Sequence, residues 1–210
     1  MFGKDGILKY ENLSPHSPQI IVPRLIKGGS TILDVGCNVG YLGRILKEKK
    51  CVCYGIEINK QAIKRALPFY KKIYLIDLYY PNFKLGEKYD YIVCNDILEH
   101  LPNPEAILKK LTTYLKLNGE LIVALPNIGR IEFRIKHLLG NFDYETSGIL
   151  HQDHLRFFTL KTAKKLLQSC GLKIEKILYS GLGAKIKILP TLFSFHFIFI
   201  GKRQANANNN

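Results

Sequence analysis

Three acids stand at or near the ends of three successive apolar runs: Asp34, Glu57 and Asp77. The first belongs to Ile32-Leu-Asp-Val-Gly-Cys-Asn-Val-Gly40, an apolar run that enters a glycine-bearing turn and then a helical pattern. Gly36 and Gly40 let a backbone approach a ligand closely, and the amino end of the following helix offers unpaired N–H donors to a ligand carboxylate. A tight turn that binds nothing would look the same. Glu57, at the end of the next run, is a carboxylate that can take two hydrogen bonds from ribose hydroxyls. Asp77 could accept a hydrogen bond from an adenine amino group. Three carboxylates along one edge suit a nucleoside with a cationic sulfonium better than a dinucleotide with its two negative phosphates. Farther along, His100, His151 and His154 are imidazoles able to act as general bases near neutral pH.

Something must hold these groups on one edge, and from Ser30 onward the chain supplies it. Short β-branched runs alternate with longer helical patterns, as parallel strands joined by crossover helices do. The runs Thr31–Val35, Cys51–Glu57, Ile73–Asp77, Tyr89–Cys94 and Glu120–Leu125 are nearly continuous in hydrophobicity, so each is expected to be a strand covered on both faces. Helices are expected over Tyr41–Lys49, Lys60–Leu67 and Pro104–Leu117. Asn127–Phe158 is rich in Arg, His, Phe and Gly without a clear period, and reads as an insertion over the carboxyl edge of the sheet. Thr159 then fits as N-cap of a helix over Leu160–Ser169, stopped at Gly171. Two strands, about Lys173–Tyr179 and Phe193–Ile200, close the pattern; a short connection between them predicts antiparallel pairing. Pro18–Ile26 could be a helix interrupted at Pro23, and the residues before Pro18 carry weak signals.

The 210 residues, 47% of them hydrophobic, suffice for one domain over 1–203 with a core on both faces of a sheet. The tail 204–210 is polar and low in complexity, and is expected to be disordered. The first ten residues lack the apolar stretch of a secretory signal, and the longest apolar tract, Ile188–Ile200, is broken by Pro190 and His196. A cytoplasmic protein is expected. Its five cysteines are odd in number and lack zinc-site spacing, so reduced thiols and no metal are expected. A net charge of +14 favours an anionic partner without selecting nucleic acid, a phosphorylated molecule or an acidic lipid surface. Codon bias or adaptation to heat would produce the same lysine excess.

Taken in order, Asp34-Val-Gly-Cys-Asn-Val-Gly40, Gly55-Ile-Glu57, Ile76-Asp77, Tyr89–Leu101 and Gly119–Pro126 resemble the motifs of class I S-adenosylmethionine-dependent methyltransferases, over roughly Ser30 to Arg203. The resemblance implies a doubly wound α/β fold with a seven-stranded, mostly parallel sheet and an antiparallel last strand. It implies S-adenosylmethionine as cofactor, with the methionine portion in the loop of Asp34, Gly36, Cys37, Asn38 and Gly40. The ribose would lie on Glu57 beside Ile58, the adenine at Asp77 and Leu78, and Asn95 and Asp96 near the transferred methyl. Asn38 stands where the family commonly has glycine; Asn tolerates the left-handed conformation, so the turn is expected to survive. The stretches Glu99–Pro104, Leu125–Gly129, Asn141–Tyr144 and His154–Thr159 are similar to small-molecule methyltransferases related to the quinone-pathway enzymes. This implies transfer to oxygen or carbon of a small-molecule, sugar or lipid acceptor.

His154, on the inserted region, is the favoured catalytic base over His100, each with a purely structural role as alternative. The insertion Asn127–Phe158, where Arg130, Arg134, Lys136 and His137 alternate with Ile131, Phe133, Ile135 and Leu138, is expected to form the acceptor pocket and a lid over the cofactor. That mixture suits an acceptor with an apolar body and an anionic group, or contact with an acidic membrane surface. An RNA methyltransferase is the enzymatic rival, prompted by Lys47, Lys49 and Lys50 and by Lys60, Lys64 and Arg65, yet no appended RNA-binding domain is visible. The chain lacks the Asn/Asp-Pro-Pro-aromatic sequence after the fourth strand. A non-catalytic binding subunit of the same fold would not need its three acids intact. An NAD-dependent oxidoreductase is disfavoured by Asn38 in place of a glycine.

Overall fold

The computed structural model describes residues 14–185 and 189–204. Their strands are β1 (Thr31–Val35), β2 (Val52–Glu57), β3 (Lys72–Leu75), β4 (Tyr89–Asn95), β5 (Leu115–Pro126), β6 (Leu172–Gly181) and β7 (Ser194–Arg203). The helices are α1 (Pro18–Leu25), α2 (Tyr41–Glu48), α3 (Lys60–Ala66), α4 (Pro104–Thr112), α5 (Ile131–Leu138), α6 (Leu160–Ser169), and the short α7 (Leu182–Lys185) and α8 (Pro190–Phe193). One seven-stranded sheet runs in the order β3-β2-β1-β4-β5-β7-β6. The first five strands are parallel, while β7 inserts antiparallel between β5 and β6. This is the expected doubly wound arrangement.

Neighbouring residues of each strand go to opposite cores, which explains the near-continuous hydrophobicity. Leu33, Ile92, Val123 and Phe199 pack with Leu108 of α4 and Leu167 of α6 on one face. Ile32, Val93, Ile122 and Ile198 pack with Val22 of α1 and Leu46 of α2 on the other. The helices start where the residues supply caps. Asn59 accepts the N–H groups of Gln61 and Ala62, Asn103 that of Ala106, and Thr159 forms a capping box with Thr162.

Some elements differ from expectation by more than a terminal residue or by being present at all. β3 stops at Leu75, so Asp77 lies in the turn beyond it. α4 ends at Thr112, and Leu115–Leu117 belong to β5, because Leu115 pairs with Tyr89 while Leu117 is left 97% exposed. Phe193 ends α8 and β7 runs on to Arg203. The insertion contains a helix, α5, with Ile131, Ile135 and Leu138 on a solvent-facing side and Phe133 buried on the opposite one. Pro23 sits inside α1. Gln204 is tied by its N–H to the Gly171 carbonyl at 2.9 Å, whereas the expected disordered residues 205–210 lie outside the described residues, as do those before Ser14. Among the described residues, no helix is long and apolar enough to cross a membrane.

Candidate functional site

The carboxyl ends of β1, β2 and β4 open onto three connected cavities that share Gly36. Gly36 has φ +74, and a side chain there would meet Ile97 at 2.9 Å. Its N–H and that of Cys37 bond to the Ile56 carbonyl, folding the turn back on β2. Asn38 adopts φ +46, the left-handed conformation that its side chain tolerates. Glu57 then organises the turn. Its Oε2 accepts the Asn38 N–H at 2.9 Å, and its Oε1 accepts those of Ile58 and Asn59 at 2.9 and 2.8 Å.

The first cavity, about 370 Å³, is mainly apolar and is flanked by Glu57, Ile58, Asp77, Leu78, Ile97 and Leu101. It has the size and character for a flat nucleoside. Asp77 keeps its side chain on the turn, accepting the Tyr79 N–H at 2.9 Å. A smaller void, about 50 Å³, lies between α1 and the glycine turn and reaches Asp34, Cys37 and Asn95. Asn95 Oδ1 is buried without a hydrogen-bond partner. An orphaned acceptor beside an open glycine turn fits a ligand carrying donor groups, as the ammonium end of a methionine does.

Asp34 is placed differently from the other acids. It is 5% exposed, and the Tyr70 hydroxyl donates to its Oδ2 at 2.5 Å while accepting the Gly43 N–H at 3.0 Å. Gly43 is required there, since the Tyr70 ring occupies the space of a β-carbon. Burial pushes the Asp34 carboxyl up to about 7, the Tyr70 hydrogen bond opposes this and the Glu57 charge adds to it. A carboxyl raised on folding binds protons more tightly in the native state, so stability falls as pH rises from its unfolded value near 4 to about 7, then levels. Asp34→Asn removes that dependence. Thermal melts without ligand are expected to show the variant gaining on the wild-type chain across this window, by an amount on the order of a few kcal/mol. A difference that stays constant with pH would contradict the assignment.

The largest cavity, about 780 Å³, lies between the glycine turn, β4, the insertion and β7. Glu99, His100 and His154 meet on its wall. Leu155 and Arg156 N–H groups donate to the Glu99 carbonyl at 2.8 and 3.0 Å, and Arg156 Nη2 donates to the Pro102 carbonyl at 2.6 Å, tying the insertion to the turn after β4. The two imidazoles contact edge to face at 4.7 Å. Each directs Nδ1 at a carbonyl, His100 at Asp153 (3.1 Å) and His154 at Ile149 (2.9 Å). Those carbonyls fix the proton on Nδ1 and leave each Nε2 as an acceptor. Burial lowers the pKa of both below the ordinary imidazole range. Glu99 is buried, and burial together with the neighbouring Asp96 pushes its carboxyl well above the ordinary range. Glu99, His100 and His154 bring ligand-type atoms within 4.8 Å of one another, so the wall could hold a proton or a divalent cation.

Arg130 is stacked on Phe195, with its guanidinium 3.5 Å from the ring centre, and is paired with Glu132 at 2.7 Å. Arg134 donates to the Gly129 carbonyl, and Lys136 pairs with Glu145. Thus the basic residues of the insertion are largely engaged. Sequence reasoning did not single out Gln19, Tyr70 or His196. Gln19 arrives from α1 and Tyr70 from the turn after α3, neither with a local motif; His196 was legible only as a lone polar residue in an apolar run.

A family model described as a methyltransferase domain matches residues 13–177. The ubiquinone biosynthesis O-methyltransferase of Idiomarina loihiensis is 27% identical over 165 residues, which make up 73% of this chain and 65% of that protein. Its counterpart in Haemophilus ducreyi is 31% identical over 109 residues, 47% of this chain and 46% of that one. The match thus spans less than two thirds of these relatives' length. Among solved structures, an S-adenosylmethionine-dependent methyltransferase from Archaeoglobus fulgidus superposes with a TM-score of 0.65 at 18% identity, covering 89% of this chain and 95% of that one. The magnesium protoporphyrin IX methyltransferase of Synechocystis, solved with bound S-adenosylhomocysteine, gives 0.59 at 19% identity over 88% and 78%. With the sheet order and the glycine turn already pointing the same way, this match makes the chain a member of the class I methyltransferase family, enzymes that use S-adenosylmethionine.

Proposed function

We propose that the protein transfers a methyl group from S-adenosylmethionine to a hydroxyl of a small-molecule acceptor seated in the 780 Å³ cavity. The observation that carries this reading is His154: its Nδ1 is held by the Ile149 carbonyl and its ring lines the cavity. The cofactor would supply a methyl activated by its sulfonium. Asp34, Gly36, Cys37, Asn38, Gly40, Asn95 and Asp96 would hold the methionine side; Glu57, Ile58, Asp77 and Leu78 the nucleoside. His154 Nε2 would take the proton of an acceptor hydroxyl that displaces the methyl from sulfur, the C–S electron pair remaining on the sulfur, and His100 would hold the His154 ring in place. Asp96, Glu132, Glu145 and Asp153 line this cavity against one arginine, which favours a neutral hydroxyl-bearing acceptor over the anionic one. A panel of phenols and sugars incubated with isotopically labelled S-adenosylmethionine, with and without chelator, tests the reading. Label in no acceptor would defeat it. Loss of transfer with chelator, restored by a divalent cation, would assign Glu99, His100 and His154 to a cation in place of a free base.

A second reading concerns delivery of the acceptor. α5 presents Ile131 and Ile135 to solvent, and Leu138 and Leu139 beyond them are 86% and 71% exposed. Exposed apolar residues on a chain of net charge +14 suit peripheral contact with anionic lipid, from which an apolar acceptor would reach the cavity. The chain is expected to co-sediment with vesicles containing phosphatidylglycerol. Leu138→Asp with Leu139→Asp is expected to reduce the bound fraction at least about fivefold, since each change removes a leucine from lipid and adds a charge. Equal sedimentation of the variant would contradict this reading.

A further inference from the structure

His196 enters the cavity from β7, opposite Pro126, which places its ring at the carboxyl end of β5. Its backbone N–H donates to Ser180 Oγ at 2.7 Å, and its Nδ1 faces the same oxygen at 3.3 Å. A hydroxyl that accepts the first contact still has its own hydrogen to give to Nδ1, the arrangement that directs an Nε2 hydrogen at Asp96. Nε2 stands 3.2 Å from Asp96 Oδ1. That oxygen is buried and has no hydrogen bond of good geometry, so the imidazole acts on it as an electrostatic neighbour. Asp96 Oδ2 is engaged, accepting the Gln19 side-chain N–H at 3.0 Å.

The backbone of Asp96 is also unusual, with φ +53 immediately after β4. Asp, like Asn, tolerates this left-handed conformation better than other non-glycine residues. Asp96 and His196 share their cavity with Gly36 and Asn38 of the glycine turn. Glu99, in the same cavity, is held toward its neutral form by burial and by the neighbouring Asp96.

The cofactor and its spent product differ in charge at one atom, the sulfur, positive before transfer and neutral after it. A carboxylate beside the glycine turn therefore favours one over the other by Coulomb attraction. We propose that His196 is a positioning residue that holds Asp96 toward the glycine turn, and that the pair sets the preference of the site for the cationic cofactor over its neutral product. This rests on the methyltransferase reading above and adds a device that favours product release.

Calorimetry of the full chain with S-adenosylmethionine and with S-adenosylhomocysteine tests it, because the ratio of the two affinities cancels any loss common to both. Asp96→Asn is expected to lower that ratio, cofactor over product, about five- to tenfold, a shift of the size one partly screened charge pair produces. His196→Ala is expected to lower it at least about twofold. His196→Gln, whose amide N–H can reach the same oxygen, is expected to return it toward the wild-type value. An unchanged or increased ratio in Asp96→Asn or His196→Ala overturns the proposal, as does a glutamine variant that behaves like the alanine one. Should His196→Ala fail to fold, Ser180→Ala, which frees the ring to rotate, is read on the same ratio, and no change overturns the proposal. Absence of binding by either ligand to the wild-type chain would defeat the methyltransferase reading itself.

Discussion

His154→Gln is expected to slow methyl transfer by about 10²–10⁴-fold, the usual contribution of a positioned general base, while cofactor affinity stays within a few fold. The separation follows from where the ring sits. His154 lies on the wall of the 780 Å³ cavity against His100, and the cavity flanked by Glu57 and Asp77 does not include it. Burial holds the imidazole below its ordinary range, so at neutral pH it is in the basic form. The single-turnover rate is therefore expected to rise with pH through a value lower than that of a free imidazole and then to flatten. In His154→Gln that acid limb is expected to vanish. Labelled cofactor mixed with a saturating acceptor and quenched over a pH series reads both effects. A variant that keeps the wild-type rate and the same limb would move the proton-accepting role to His100 or to a cation held by the same wall.

Replacing Glu57 by Ala is expected to weaken S-adenosylmethionine binding by about 1.5–3 kcal/mol, roughly 10- to 150-fold, the range for hydrogen bonds to a charged group. Two losses act together. A ribose would lose its carboxylate acceptor, and the N–H groups of Asn38, Ile58 and Asn59 would lose theirs, loosening the turn that shapes the cleft. Glu57→Gln is not expected to restore binding, because its amide nitrogen would face one or two of those N–H donors. Calorimetry on the folded variants gives the answer, and a Glu57→Ala chain that binds as tightly as wild type would remove Glu57 from the cofactor site.

Tyr70 shows how local order and site shape are joined. Its hydroxyl bridges Asp34 to the Gly43 N–H near the start of α2, so the acid that opens the glycine turn is held from the side by a residue 36 positions away. No periodicity or spacing announces such a contact. It arises because the turn after α3 returns to the sheet at that height.

What the sequence determined was the sheet and the order of its parts. The near-continuous apolar runs demanded burial on both faces, which parallel strands under crossover helices satisfy, and the glycines and acids at the run ends had to emerge together at the carboxyl edge. Thr159 as a cap and Asn38 as a left-handed residue were likewise legible, since each depends on the backbone within a few residues. The tertiary structure decided the rest. Helix α5 escaped because its one buried apolar residue, Phe133, lies opposite Ile131, Ile135 and Leu138, so the apolar positions do not mark a single packed face. Leu115–Leu117 became strand because pairing with Tyr89 outweighed the helical pattern before it. The meeting of His100 with His154, and of Asp96 with Gln19 and His196, joins residues from the two ends and the middle of the chain. Such contacts are set by strand register and by the paths of α1 and the insertion, and one-dimensional spacing carries no record of either.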